Sequence, residues 1–415
     1  KNVDIQDLIR RNRHFPSPIW CAARKIVTGV RRCGKTYLLK NILPGQLKEK
    51  GFVKAIGDVL IIELKGKNNN IKTKNQLLNF LNEKRNKNKK FIVIDEVQKI
   101  KNYHEILIGY KQENPDKELF LAGSNSKILS SDILLHFQEF GYEIHLSPLT
   151  FKEIREAIPD YSIDDYIRYG GLPLIVNELP EKREQELKAI YQELYEGDIK
   201  DKLKDRFSYI SKSKIRHVLK AIFSTSSEIS TKGIAKSFAH GTDATKFDDL
   251  KLKAEIEEAI QILVDSYLII EFENDSFYAP DILKRIGLNI KYYCVDNGLL
   301  YINCDDEDRK NGIALENAIY LHLLANKIKP RGKIIWNNKS GKKDGEIDFN
   351  YKLNNQEYHI QVTYDYHDGD YDREILNLQL FNDNSNKILI YRFDSATKTR
   401  DPNIEYIDCE TYLSR

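Results

Sequence analysis

Along the first 150 residues, short β-rich apolar runs alternate with longer stretches whose apolar positions recur at helical spacing. That alternation predicts a parallel sheet with helices on both faces. The strands expected are Lys25–Thr28, Val59–Leu64, Phe91–Ile94, Leu119–Ala122 and Tyr142–Leu146, with helices over Thr36–Leu47, Lys74–Glu83 and Tyr103–Gln112. From Ser162 to about Asp205 the chain turns acidic, Tyr-rich and helical, punctuated by Gly170, Gly171 and Pro173, which suits a helical lid or connector. Apolar periodicity over Ile215–Phe223, Thr231–Ala239 and Leu252–Leu263 is followed by Leu268–Phe272 and Phe277–Tyr278 around an Asn274-Asp275 turn. Helices followed by a hairpin predict a winged helix. The remainder, a helix at Leu315–Asn326 with β-rich runs Ile334–Trp336, Glu346–Tyr351, Glu357–Val362 and Lys387–Arg392, predicts a mixed α/β domain. The expected boundaries are therefore 1–160 for the parallel-sheet domain, 161–210 for the connector, 211–285 for the winged helix and 286–415 for the terminal domain.

Charge and composition narrow this picture. Sixty-five Lys and Arg against 62 Asp and Glu leave a net +3, so any nucleic-acid affinity has to come from a local patch. No run approaches the roughly 18 apolar residues of a membrane span, and no membrane partner is expected. Cys21, Cys33, Cys294, Cys304 and Cys409 are scattered and never in C-x-x-C spacing, which predicts neither disulfides nor a zinc site and fits a reducing cytoplasm. The chain has no Met, not even an initiator, where on the order of eight would be ordinary. Residues are expected to be missing from it, so motifs that read without a break carry more weight than long spacings. Arg10, Arg11 and Arg13 followed by Pro16 and Pro18 do not resemble a signal peptide.

The chemistry concentrates in Gly29-Val30-Arg31-Arg32-Cys33-Gly34-Lys35-Thr36, an unbroken G-x-x-x-x-G-K-T between an expected strand and an expected helix, with Tyr37 continuing into the helix. Its glycines let successive backbone N–H groups wrap a phosphate at the positive end of the helix. Lys35 would reach the outer phosphates and Thr36 would ligate Mg²⁺. Phe91–Ile94 runs into Asp95-Glu96, where one carboxylate can support the metal (Asp95) and the other can activate water (Glu96). Leu119–Ala122 ends similarly in Gly123-Ser124-Asn125, so Ser124 or Asn125 is placed to meet the γ-phosphate or the attacking water.

These motifs, together with Ile94-Asp95-Glu96-Val97-Gln98, Gly123-Ser124-Asn125-Ser126-Lys127, Tyr169-Gly170-Gly171-Leu172-Pro173, Tyr293, Asp296-Asn297-Gly298, Glu316-Asn317 and Glu346-Ile347-Asp348-Phe349, closely resemble prokaryotic AAA-type ATPases with a C-terminal domain of unknown function. The resemblance implies an α/β core of the ASCE P-loop type. It also implies a winged helix, a restriction-endonuclease-like terminal domain, and ATP as the nucleotide. Where relatives carry arginines suited to an arginine finger, this chain reads His136-Phe137-Gln138-Glu139-Phe140-Gly141, which predicts slow hydrolysis unless Arg155, Arg168 or another subunit substitutes. In the terminal domain, Glu316 and Asp348 could fill two places of a metal-dependent nuclease, but the third reads Gln361-Val362-Thr363 with no lysine. A fold kept for binding or assembly is expected there. In the winged-helix segment Lys246, Lys251 and Lys253 are interleaved with Asp248, Asp249, Glu255, Glu257 and Glu258, so double-stranded DNA is a candidate partner on a weak face. The expectation is an ATP- and Mg²⁺-dependent switch acting on DNA, a protein partner or a second copy of the chain. The alternative is a non-catalytic DNA-binding or assembly protein stabilised by nucleotide.

Overall fold

A computed structural model describes residues 24–123, 141–200, 203, 210–225, 229–237, 250–272, 274–275, 290–336, 343–368, 371–380 and 384–415. They divide into two compact units: residues up to 148 with 172–177 and 265–267 form the first, and residues 149–171, 178–264 and 268–415 the second.

The first unit is built on the strands β1 (Arg24–Thr28), β2 (Val59–Glu63), β3 (Phe91–Asp95), β4 (Glu118–Ala122) and β5 (Gly141–His145). All pair in parallel, in the order β2-β3-β4-β1-β5. Every residue of β3 is buried, as a central strand covered on both faces requires. Leu77 and Leu81 from helix Lys74–Asn82 and Tyr103, Ile106, Leu107 and Tyr110 from helix Tyr103–Glu113 pack with Ile62, Ile92, Ile94 and Leu121 in one core. Thr73 caps the first of these helices by accepting from Gln76 N–H, while Gln76 Oε1 accepts from Thr73 N–H at 3.0 Å. The helix opening at Lys35–Tyr37 passes through a π turn, Leu38–Ile42, into Leu43–Glu49. Pro44 has no N–H to give the regular ladder, and the Leu43 N–H reaches back five residues to Leu38 O.

The second unit carries a six-stranded sheet, ordered β13-β12-β11-β10-β9-β7. Its strands are β7 (Asn274–Asp275), β9 (Arg331–Trp336), β10 (Lys343–Leu353), β11 (Gln356–Tyr366), β12 (Asn386–Asp394) and β13 (Ile404–Asp408). A separate antiparallel pair joins β6 (Ile269–Phe272) to β8 (Lys291–Cys294). The helices of this unit include Phe151–Ala157, Ile163–Tyr169, Pro180–Leu194, Lys212–Phe223, Thr231–Ser237, Leu250–Asp265, Asn297–Tyr301, Lys310–Ala325 and Cys409–Leu413. The expected turn at Asn274-Asp275 is corrected here: these residues are extended and pair with Gly332 and Lys333 of β9, and the partner of β6 is β8. Phe277–Tyr278 lie outside the described residues, as do Ser124–Lys127, His136–Phe140, Lys246, Asp248 and Asp249.

Several glycine and polar motifs of the sequence meet inside this unit. Gly170 has φ +72°, and a Cβ there would lie 2.4 Å from Asp296 Oδ1. Gly171 N–H donates to Asp296 Oδ2 at 2.8 Å, while Asp296 Oδ1 accepts from Leu299 N–H at 3.2 Å and caps Asn297–Tyr301. Asn317 Nδ2 donates to Asn297 Oδ1 at 2.7 Å, Asn297 Nδ2 donates to Ala314 O at 2.8 Å, and Cys294 N–H donates to Asn317 Oδ1 at 2.7 Å. These buried amides satisfy one another, so the motif residues here hold the fold together.

Candidate functional site

The phosphate loop springs from β1 and runs from Gly29 to Thr36. Gly29 (φ +135°) and Gly34 (φ +103°) occupy conformations that side chains resist, and a Cβ on Gly29 would lie 2.2 Å from Leu146 O. Arg32 also has positive φ (68°) and is exposed, with Arg31 half-buried; Val30 and Cys33 are buried and anchor the loop. Lys35 is buried, and its ammonium donates to Gly29 O at 2.7 Å and Val30 O at 2.8 Å, with Cys33 Sγ 3.8 Å away. The cation that a phosphate would attract is thus satisfied by the carbonyls of its own loop. Tyr37 closes the first helical turn and is half-buried.

Behind the loop, Thr28 Oγ1 and His145 Nδ1 lie 3.1 Å apart, and the His145 ring packs against Tyr267 with centroids 5.3 Å apart. Burial, helped by the Lys35 charge, lowers the pKa of this imidazole and favours its neutral form.

Asp95 ends β3, and its Oδ2 accepts from Thr36 Oγ1 at 2.7 Å. Because β4 lies between β1 and β3, the sheet brings loop and carboxylate together from non-adjacent strands. Burial raises the Asp95 pKa, and the Thr36 hydroxyl works against that rise. A hydroxyl and a carboxylate converging this closely fit the hard, oxygen-seeking Mg²⁺. Glu96 follows with φ 57° and opens the 3₁₀ turn Val97–Lys99; its N–H donates to Asp95 Oδ1 at 3.1 Å. Its Oε2 accepts from Gln98 Nε2 at 2.5 Å. Gln98 is the residue of this site to which sequence reasoning gave no role. Ser124 and Asn125 lie outside the described residues.

Arg155 and Arg168 are both engaged within the second unit. Arg155 Nη1 donates to Glu410 Oε1 at 2.7 Å, and Arg168 pairs with Glu184 at 3.3 Å and lies over the Tyr169 ring.

A second polar cluster surrounds a cavity of about 640 Å³ in the second unit, lined in part by Glu316, Glu346, Asp348, Gln361 and Glu374. Gln361 accepts from Asp348 N–H at 2.8 Å and donates to Glu374 Oε2 at 2.6 Å, while Asp348 Oδ2 accepts from Val362 N–H at 2.9 Å. Burial, then the nearby Glu316, raises the Asp348 pKa well above the usual carboxylate range. The sequence shows no lysine at the third position, yet Lys291 of β8 pairs with Glu316 at 2.6 Å, 5% exposed. Motif spacing could not reveal it, since it precedes Glu316 on another strand. Among the described residues no three His, Cys, Asp or Glu side chains form a group that could hold a metal ion.

Residues 23–155 match the family described as an AAA domain. This segment is similar to AAA domains. Residues 160–308 match a domain of unknown function. An uncharacterised protein of Haemophilus influenzae is 24% identical over 378 residues, 88% of this chain and 88% of its own. An uncharacterised protein of Methanocaldococcus jannaschii is 27% identical over 371 residues, covering 85% of this chain and 77% of its own. Among solved structures, the Aeropyrum pernix ORC1 protein in complex with DNA aligns over 78% of this chain and 92% of its own, at 13% identity and TM-score 0.27. Cdc6p from Pyrobaculum aerophilum aligns over 76% and 91% respectively, at 15% identity and TM-score 0.26. The matched residues include the loop Gly29–Thr36, the Thr36–Asp95 contact and Glu96. No helix among the described residues is long and apolar enough to cross a membrane.

Proposed function

We propose that this chain binds ATP with Mg²⁺ and hydrolyses it slowly, nucleotide occupancy switching the arrangement of the modules that follow the AAA domain. The observation that carries the reading is the Thr36–Asp95 contact of 2.7 Å at the mouth of the phosphate loop. The loop amides and the start of the helix hold the phosphates, and Lys35 turns from Gly29 O and Val30 O toward them. Thr36 and Asp95 hold Mg²⁺, which neutralises phosphate charge when bound. Glu96 takes the proton of the attacking water, and Ser124 or Asn125 orients the γ-phosphate. Arg155 and Arg168 already have acidic partners, which supports slow turnover in the isolated chain.

The domain scheme of 1–160, 161–210, 211–285 and 286–415 belongs to this proposal. A winged helix over 211–285 is supported by the helices Lys212–Phe223, Thr231–Ser237 and Leu250–Asp265 ahead of β6. The sheet β13-β12-β11-β10-β9-β7 with Lys310–Ala325 supports a restriction-endonuclease-like fold, used for binding or assembly. Double-stranded DNA would meet a partly neutralised winged-helix face, since Lys214 is already paired with Glu255. A protein partner or a second copy of the chain are the other candidates, in the cytoplasm.

The test is phosphate release from ATP, with and without duplex DNA, beside calorimetry of nucleotide binding. Slow Mg²⁺-dependent release is expected, and Lys35→Ala is expected to abolish binding without unfolding the chain. Binding with no turnover under any condition would favour a non-catalytic, nucleotide-stabilised DNA-binding or assembly protein.

A further inference from the structure

Gln98 is hydrogen-bonded to the carboxylate to which the proposed hydrolysis assigns the base. Its Nε2 donates to Glu96 Oε2 at 2.5 Å, a charge-assisted bond. Its other amide atom, Oε1, is buried and has no hydrogen-bond partner among the described residues. Exchanging the two amide atoms does not relieve this, because Oε1 would then face the Glu96 carboxylate, oxygen against oxygen. Among the described residues a strong acceptor is therefore left without a donor, one side chain from the proposed general base and linked through it to the proposed metal-holding pair. Glu96 N–H bonds Asp95 Oδ1, and Asp95 Oδ2 bonds Thr36 at the phosphate loop. Buried acceptors are rarely left empty, and at a reaction centre the usual donor is a water.

We propose that Gln98 is a positioning residue for hydrolysis: Nε2 holds Glu96 in one orientation and Oε1 accepts one hydrogen of the attacking water. The other hydrogen of that water then faces the free Glu96 oxygen, which takes it as the water oxygen bonds to the γ-phosphorus and the bond to the ADP oxygen breaks. Holding a nucleophile by two fixed contacts is the part of catalysis that positioning supplies. Glu96, half-buried and in a left-handed conformation just after β3, has no other side-chain hydrogen bond among the described residues. This inference rests on the ATPase reading and would have no meaning for a chain that only binds nucleotide.

The experiment compares the full chain with its Gln98→Leu and Gln98→Glu variants, measuring kcat and KM for ATP, nucleotide Kd by calorimetry, and Tm. Gln98→Leu keeps the bulk and removes both polar atoms; Gln98→Glu replaces the donor NH2 by oxygen and keeps the acceptor. The expected result is at least a tenfold loss of kcat in both, with nucleotide Kd within twofold of wild type and Tm nearly unchanged. Wild-type kcat in either variant overturns the role of Gln98, as does an equal loss of binding and turnover. Should Gln98→Leu fail to fold, Gln98→Glu decides alone. A wild-type chain that binds ATP without turnover faults the ATPase reading and not Gln98.

Discussion

At the scale of single residues, the proposed phosphate site is tied together by its own hydrogen bonds. Lys35 is held by Gly29 O and Val30 O, Thr36 by Asp95, and Glu96 by Gln98. Glu96→Gln removes the proposed proton acceptor while keeping the shape. It is expected to leave ATP affinity within about twofold and to lower turnover by roughly 10²-fold or more, read as single-turnover phosphate release. The places of Lys35, Thr36, Asp95 and Glu96 in the fold were legible because each sits at a fixed offset within an unbroken motif. Gln98 and Lys291 were not, since a partner contact across a turn, or from another strand, leaves no spacing signal.

At the scale of elements, the loop depends on where β5 delivers Leu146. A side chain on Gly29 meets Leu146 O at 2.2 Å and has to adopt φ +135°. Gly29→Ala is expected to cost about 1–3 kcal/mol, seen as a lower Tm, together with weaker nucleotide binding by calorimetry. The parallel strands of the first unit were readable to within a residue or two, because each is a short apolar run between amphipathic stretches. Pairing was harder to read. Periodicity marks which residues are extended but not which neighbour they choose, so β6 was given a hairpin partner next to it in sequence and instead pairs with β8. Ile404–Asp408 and Cys409–Leu413 drew no expectation at all, the polar alternation of that stretch being too short to separate strand from turn.

At the scale of the whole molecule, stability should respond to acid through buried histidine. His322 lies in helix Lys310–Ala325, its Nε2 3.1 Å from Asn326 Nδ2 and its ring against Tyr412. Burial, and then the charge of Lys152, lowers its pKa from 6.5 to about 4. The unfolded chain takes up this proton from about pH 6.5 downward and the folded chain only near 4, so protons favour unfolding across that window. Stability should fall with pH between these values, by up to about 3 kcal/mol from this group, and then level off. His322→Gln should flatten the window, checked by denaturant melts from pH 7 to pH 4. An unchanged slope would assign the acid sensitivity to other groups.

Asp296 carries a practical warning for anyone cutting this protein into pieces. One carboxylate seats both the glycine pair at 170–171 and the first turn of Asn297–Tyr301, across 125 residues of intervening chain. A fragment ending before residue 296 would leave the Gly171 amide without its acceptor and expose the Asn297–Asn317 amide chain. Truncations placed at 210 or 285 should therefore yield aggregating or protease-sensitive products, and recombination in nature would be expected to move this stretch as one inheritable block.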